Sequence, residues 1–218
     1  MTSAIITNND EWHRERRKGI GGSEASAILG LNPYMTNVQL WRYKTGREVP
    51  EDISNKPYVK YGHDAEGPLR ELFSLDYPQF EVTYGGAFDM VRNEKHPFIF
   101  ATLDGRLKER DTGRLGVYEG KTTEILKSMT YEKWKDQVPD NYYVQCLHQL
   151  LATGWDFAVL NAQLKRTYGK DVRADVRRFF IERAEVQDDL DYLLEQELKF
   201  WEYVESDREP PLVLPNVF

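Results

Sequence analysis

Asp104, Glu119 and Lys121 are the residues whose types and spacing point most directly to chemistry. Asp104 closes the run FATLDG, and Glu119 and Lys121 break the apolar alternation of GVYEGKTT, residues 116–123. Between them lies a polar turn centred on Asp111-Thr112-Gly113, a hairpin signature. Folding about that turn brings Asp104 level with Glu119 or Gly120, about 5 Å away at Cβ. Lys121, two residues beyond Glu119, shares its face of the sheet. Two carboxylates so close repel unless a cation lies between them, and hard oxygen donors suit Mg²⁺, with Mn²⁺ able to substitute. A lysine beside such a metal can orient an attacking water or stabilise charge developing on a phosphate. A salt bridge from Lys121 to either acid fits the same residues, and the D…ExK pattern alone does not choose.

The elements that must position these residues supply further candidates. A helix over Lys56–Leu75 carries an apolar stripe of Tyr58, Gly62, Ala65, Leu69, Leu72 and Phe73. Glu66 falls roughly 60° from Leu69 at the stripe's edge, with Asp64 and Glu71 opposite. A carboxylate bordering the core needs a partner: a metal shared with Asp104 and Glu119, or Arg70 on the same helix. A later helix, Asn141–Ala152, ends at Gly154 and places Gln145 and Gln149 on one face at i,i+4. That pair can hydrogen-bond a phosphate or a water, or face solvent. His148 lies beside it, but no His or Cys spacing matches a zinc site, which leaves it structural or close to DNA. Near the start, Arg17 precedes a GIGG turn and Ser23, read as the N-cap of a helix running to Gly30. Backbone N–H groups, a hydroxyl and a guanidinium are the parts of a phosphate site, and equally of a plain serine-capped turn. The stretch is neither a Walker A loop nor a dinucleotide fingerprint.

The remaining pattern predicts helices over Asn9–Lys18, Thr36–Tyr43 and Glu185–Tyr203. Strands are predicted over Phe80–Val91, Phe98–Leu103, Val117–Glu119, Phe157–Gln163 and Val172–Ile181. This order implies an α/β domain with a mixed sheet, and 218 residues without repeat or linker suit one domain, 1–218. A content of 40% hydrophobic and 30% charged residues places the chain in the folded globular class. The single cysteine, Cys146, excludes an internal disulfide or a Cys-rich metal centre and reads as core filler. A net charge of −7 argues against coating nucleic acid by charge alone, though not against a local basic site such as Arg14–Lys18. No apolar run matches a leader or a membrane span, so the expectation is a cytoplasmic protein.

The blocks GIGGSEA after Arg17, NPY, GHDAE, ATLDG, YEGK, YYVQCLHQLLATG and FWEYV before a Pro-Pro pair occur in one order along nearly the whole chain. In that order the chain resembles the phage lambda exonuclease / YqaJ-like viral recombinase family of the PD-(D/E)XK nuclease superfamily. The resemblance implies a restriction-endonuclease-like core, a central mixed sheet flanked by helices. It implies Asp104, Glu119 and the Gly120 carbonyl as metal ligands, Glu66 completing the acidic site, Lys121 as the catalytic lysine, and Gln145 as the family's glutamine. Arg17 and Ser23 would hold a 5′ phosphate. The implied activity is Mg²⁺-dependent 5′→3′ digestion of one strand of linear double-stranded DNA to mononucleotides, leaving a 3′ overhang. A homotrimeric ring and a single-strand annealing protein are the implied assembly and partner. The chain departs from the pattern at Leu103, where the superfamily has proline, and at Leu147, where a second glutamine is common. An endonuclease on the same core and a non-catalytic DNA-end-binding protein are the alternatives.

Overall fold

The structure, a computed structural model, describes residues 9–125, 131–135 and 137–214. Four helices come first: α1 (Asn9–Arg17), α2 (Gly22–Ile28), α3 (Asn37–Lys44) and α4 (Pro57–Asp76). Strands β1 (Phe80–Thr83), β2 (Met90–Arg92), β3 (Phe100–Thr102), β4 (Gly105–Glu109) and β5 (Leu115–Glu124) follow. Helix α5 (Asp140–Thr153), strands β6 (Phe157–Tyr168) and β7 (Asp171–Glu182) and helix α6 (Gln187–Glu205) complete the order.

The central sheet runs β1-β4-β5-β6-β7, with β5 and β6 parallel and the other pairs antiparallel. Period-two alternation along β5 sends Val117 to one side and Tyr118 to the other, both fully buried. Tyr118 joins Phe73 of α4 and Phe80, Leu107, Phe157 and Val159 in an aromatic-rich cluster. Val117, Leu160, Ala162 and Leu164 meet Leu147 and Leu150 of α5, Leu190 and Leu193 of α6, and residues of α2 and α3 in the larger core. The sheet is therefore sandwiched, and the helices that carry the candidate glutamines and Glu66 lie on opposite faces.

The predicted strand Phe80–Val91 divides in two. Its first part pairs with β4 and its last with β3 in a separate two-stranded sheet. Gly85-Gly86 interrupts it: Gly86 has φ +101°, and a Cβ on Gly85 would sit 2.0 Å from the Asp89 carboxylate. The α4 stripe is narrower than predicted. Ala65, Leu69 and Phe73 are buried one turn apart, whereas Tyr58 and Leu72 are 61% and 42% exposed, since a single i,i+4 ridge suffices to meet the sheet. Ser23 is not the cap of α2; Gly21 holds that position, and the Glu24 carboxylate accepts its N–H at 2.8 Å. Thr36 does cap α3, accepting from the Gln39 N–H, and Gly154 ends α5 at φ +70°. β5 extends well past the predicted Val117–Glu119, because it stays paired with β6 as far as Glu124 while Glu119 and Lys121 find partners in the site instead of an apolar layer.

Candidate active site

The antiparallel register pairs Gly105 with Tyr118, so the next step outward sets Asp104 beside Glu119. β4 ends there, which frees the Gly120 N–H to donate to Asp104 Oδ2 at 3.0 Å. In an extended strand one residue's N–H and C=O point the same way, so the Gly120 carbonyl also faces Asp104. A Cβ on Gly120 would lie 3.6 Å from Asp104 Oδ2 and 3.6 Å from Tyr118 Cε1; the glycine keeps that space open. On the α4 side, Arg70 donates to the Asp104 carbonyl at 2.6 Å and stacks on Tyr84. Asn161 of β6 donates to the Tyr118 hydroxyl at 2.8 Å.

Glu119 is buried at 1% exposure and held by three donors. Its Oε1 accepts from Gln145 Nε2 at 2.6 Å and from Lys121 Nζ at 2.5 Å, and its Oε2 accepts from Gln149 Nε2. The i,i+4 glutamines thus face the carboxylate and not solvent. Among the described residues the Gln149 Oε1 has no partner, so its amide orientation is fixed by Glu119 alone. The pairing of Lys121 with Glu119 seen as an alternative in the sequence is present, within a site that also contains Asp104. Burial, then the neighbouring Glu119 charge, pushes the Asp104 carboxyl up to about 8 against the opposing pull of Lys121. Burial works against the Lys121 charge, but Glu119 and Asp104 outweigh it and raise its pKa. Lys121 is therefore an ammonium, a donor and point charge.

Glu66 lines a cleft of about 190 Å³ together with Gly62, His63, Gly120, Lys121 and Thr122. It is half-buried, pairs with His63 at 3.2 Å and not with Arg70, and its charge adds to the upward push on Asp104. Among the described residues, no three acidic, His or Cys side chains converge as a ready-made metal cage. The donors that remain open are two carboxylates and a backbone carbonyl. A carboxylate offers about four lone-pair positions, so Glu119 keeps one, on Oε2, and Asp104 keeps Oδ1. Hard oxygens of this number and charge fit a Mg²⁺ ion that retains waters, and a cation between the acids would reverse the push on Asp104.

Ser23 lies close by. A Cβ on its neighbour Gly22 would sit 3.3 Å from Gln145 Cγ and 3.5 Å from Gln149 Cγ, so the glycine turn rests on the glutamine pair. The guanidinium nearest the Ser23 hydroxyl is that of Arg16, at 3.4 Å, while Arg17 is exposed beside it. Arg16 also meets Glu24 at 3.0 Å, and Glu24 accepts from the buried Lys44 at 2.7 Å. His148 is fully buried between Glu197, 2.6 Å away, and the Phe100 carbonyl, 2.8 Å away, a structural position. Cys146 is buried, and burial holds its thiol well above the usual range, so it is inert. Sequence reasoning missed the grip of Gln149 on Glu119, although the i,i+4 spacing was visible. It also missed Arg70, whose contact is to backbone and leaves no pattern.

A family model for the YqaJ-like viral recombinase domain matches residues 11–156, a stretch that contains Asp104, Glu119, Lys121, Gln145 and Gln149. The uncharacterized protein YqaJ of Bacillus subtilis (strain 168) is 32% identical over 200 residues, covering 89% of this chain and 56% of that protein. The chain thus spans just over half the length of this relative. Among solved structures, an alkaline exonuclease (LHK-Exo) from Laribacter hongkongensis superposes with a TM-score of 0.63 at 16% identity, covering 91% of this chain and 94% of the other. LHK-Exo in complex with dAMP superposes with a TM-score of 0.62 at 15% identity over the same shares. The fold is the PD-(D/E)XK type, a mixed sheet flanked by helices, as the sequence implied. With most of its length, acidic site included, inside the family model, the chain belongs to the YqaJ-like viral recombinase family.

Proposed function

We propose that the chain, acting as one domain over residues 1–218, is a divalent-metal-dependent exonuclease that digests one strand of linear double-stranded DNA. The observation that carries this reading is the buried Glu119, oriented by Gln145, Gln149 and Lys121 beside Asp104. A structural salt bridge has no need of two amides on one carboxylate next to a second acid. Asp104, Glu119 and the Gly120 carbonyl would hold the ion, Mg²⁺ or Mn²⁺, with Glu66 at the cleft wall supporting its waters; when bound it supplies Lewis acidity toward the scissile phosphate. Lys121 donates toward the attacked phosphate and its developing charge. Gln145 and Gln149 keep the carboxylate from rotating, which preserves the attack geometry.

Ser23, flanked by Arg16 and Arg17, takes the 5′ phosphate of the end being digested. This sets a 5′→3′ direction, releases mononucleotides and leaves a 3′ overhang that a single-strand annealing protein can use in recombination. The alkaline exonuclease that shares the fold, and its complex with dAMP, support exonuclease action and mononucleotide release. A homotrimeric ring around the duplex belongs to the same proposal and accounts for processive action by an acidic chain. Among the described residues no helix is long and apolar enough to cross a membrane. The test is a comparison of linear with covalently closed circular duplex in Mg²⁺. Linear DNA is degraded and closed circles persist; equal cutting of both makes the protein an endonuclease.

A further inference from the structure

Besides the Arg14–Lys18 run, positive charge in this acidic chain gathers on one hairpin. Residues 163–178, most of the β6–β7 hairpin, carry Lys165, Arg166, Lys170, Arg173, Arg177 and Arg178 against Asp171 and Asp175, a net of +4 in a chain of net −7. The strands are joined by the two-residue turn Gly169-Lys170, with Gly169 at φ +62°, and residues 167–175 are exposed. Register sets Arg166 directly opposite Arg173 and Ala162 opposite Arg177, so three guanidiniums share one face. The parallel pairing of Lys121 with Ala162 identifies it as the face that carries Glu119 and Lys121. At about 3.3 Å per residue, Arg166 and Arg173 lie roughly 13 Å beyond the level of Lys121, a distance of about four nucleotides at 3.4 Å each.

Tyr131 stands among these cations: Arg166 stacks on its ring at 4.0 Å and Arg177 donates to its hydroxyl at 2.7 Å. Arg166 is partly neutralised by Asp175 at 2.6 Å. Lys170 and Arg173 make no ion pair among the described residues. Like charges directly opposite destabilise a hairpin, and a polyanion laid along this face would remove that cost. A basic surface interleaved with an aromatic, on the sheet face that carries Glu119 and Lys121, has the chemistry of a phosphate-backbone track.

We infer that this face of the β6–β7 hairpin binds the sugar-phosphate backbone of the DNA whose end occupies the cleft, through Arg166, Arg173, Arg177 and Lys170. The inference rests on the nuclease reading, and the test separates the two. Binding of the full chain to a fluorescent 30-base-pair duplex is measured in EDTA across a salt series, for wild type, Lys170→Glu/Arg173→Glu and Lys170→Gln/Arg173→Gln. Hydrolysis of a small chromogenic phosphodiester with Mn²⁺ is followed in parallel.

The neutral pair is expected to make the slope of log K against log salt shallower by about 2, at ~0.9 per phosphate contact. It weakens binding at least tenfold at about 0.1 M salt, and the charge reversal weakens it further, with small-diester hydrolysis unchanged in both. Unchanged affinity and slope in a wild type and variants that all bind and hydrolyse overturns the hairpin inference alone. So does a shift in molar mass by light scattering with DNA affinity intact, which makes the hairpin an interface between copies. A wild type that neither binds duplex nor hydrolyses the diester overturns the nuclease reading, and the inference with it.

Discussion

Glu119 accepts three hydrogen bonds on a carboxylate with about four lone-pair positions, and each donor does separate work. Lys121 brings charge, and Gln145 and Gln149 fix rotation. Lys121→Ala is expected to cut turnover at least 100-fold, the lower bound for losing a positioned donor at a reacting phosphate. Duplex binding in EDTA should stay within twofold by anisotropy; unchanged turnover removes the lysine from the chemistry. Gln149→Leu keeps the volume and removes one grip, so kcat should fall about 10–100-fold, the usual loss for a residue that orients a metal ligand, with thermal stability near wild type. Asp104, Glu119 and Lys121 were legible in sequence because a hairpin turn and period-two alternation fix who sits opposite whom. Gln149 was half legible: helical spacing puts it on the same face as Gln145, but which face meets the carboxylate depends on how the helix packs on the sheet.

At the scale of elements, α5 is what aims the glutamines, and His148 pins α5. Both ring nitrogens face acceptors, the Glu197 carboxylate and the Phe100 carbonyl, so the ring donates twice and is an imidazolium. Burial opposes that charge, but Glu197 and the two hydrogen bonds outweigh it and raise the pKa. His148→Leu leaves Glu197 buried without its partner, at an expected cost of about 3–5 kcal/mol in urea unfolding. Adding Glu197→Leu should recover most of that loss, since an apolar pair leaves no orphaned charge; no recovery would show that the pair acts through packing alone. The helices and hairpins were readable from periodicity and turn residues, as Thr36 and Gly154 illustrate. The division of Phe80–Val91 was not, because Gly85-Gly86 sits inside an otherwise strand-like run and sheet membership is decided by distant partners. Ser23 was misread as a cap because local propensity favoured it, whereas the Glu24 side chain claims the Gly21 N–H.

For the molecule as a whole, the buried Arg16–Glu24–Lys44 group ties α1, α2 and α3 together beneath the Ser23 turn. Burial alone would raise the Glu24 carboxyl, but Lys44, Arg16 and the Gly21 N–H together pull it down to about 2 from its ordinary 4.5. A depressed carboxyl stabilises fully above its unfolded pKa and loses that contribution as pH falls through the folded one. Between about pH 4.5 and 2 the protein should therefore lose roughly 3 kcal/mol from this group. Chemical unfolding against pH measures it: Glu24→Gln should be less stable at pH 7 and show a flatter acid limb, and an acid limb identical to wild type would contradict the assignment. The fold class was legible in the order of elements, and the local concentration of positive charge on the β6–β7 hairpin was hidden inside an acidic total.

The central claim is that Asp104 and Glu119 hold a divalent ion that drives hydrolysis from a DNA end. The most direct measurement is release of label from a 5′-end-labelled linear duplex, with Mg²⁺ or EDTA, by wild type and Asp104→Asn. The account predicts rapid release of labelled mononucleotide by wild type with Mg²⁺ and none in EDTA or from the variant. Release that persists in EDTA, or that Asp104→Asn leaves unchanged, would contradict it.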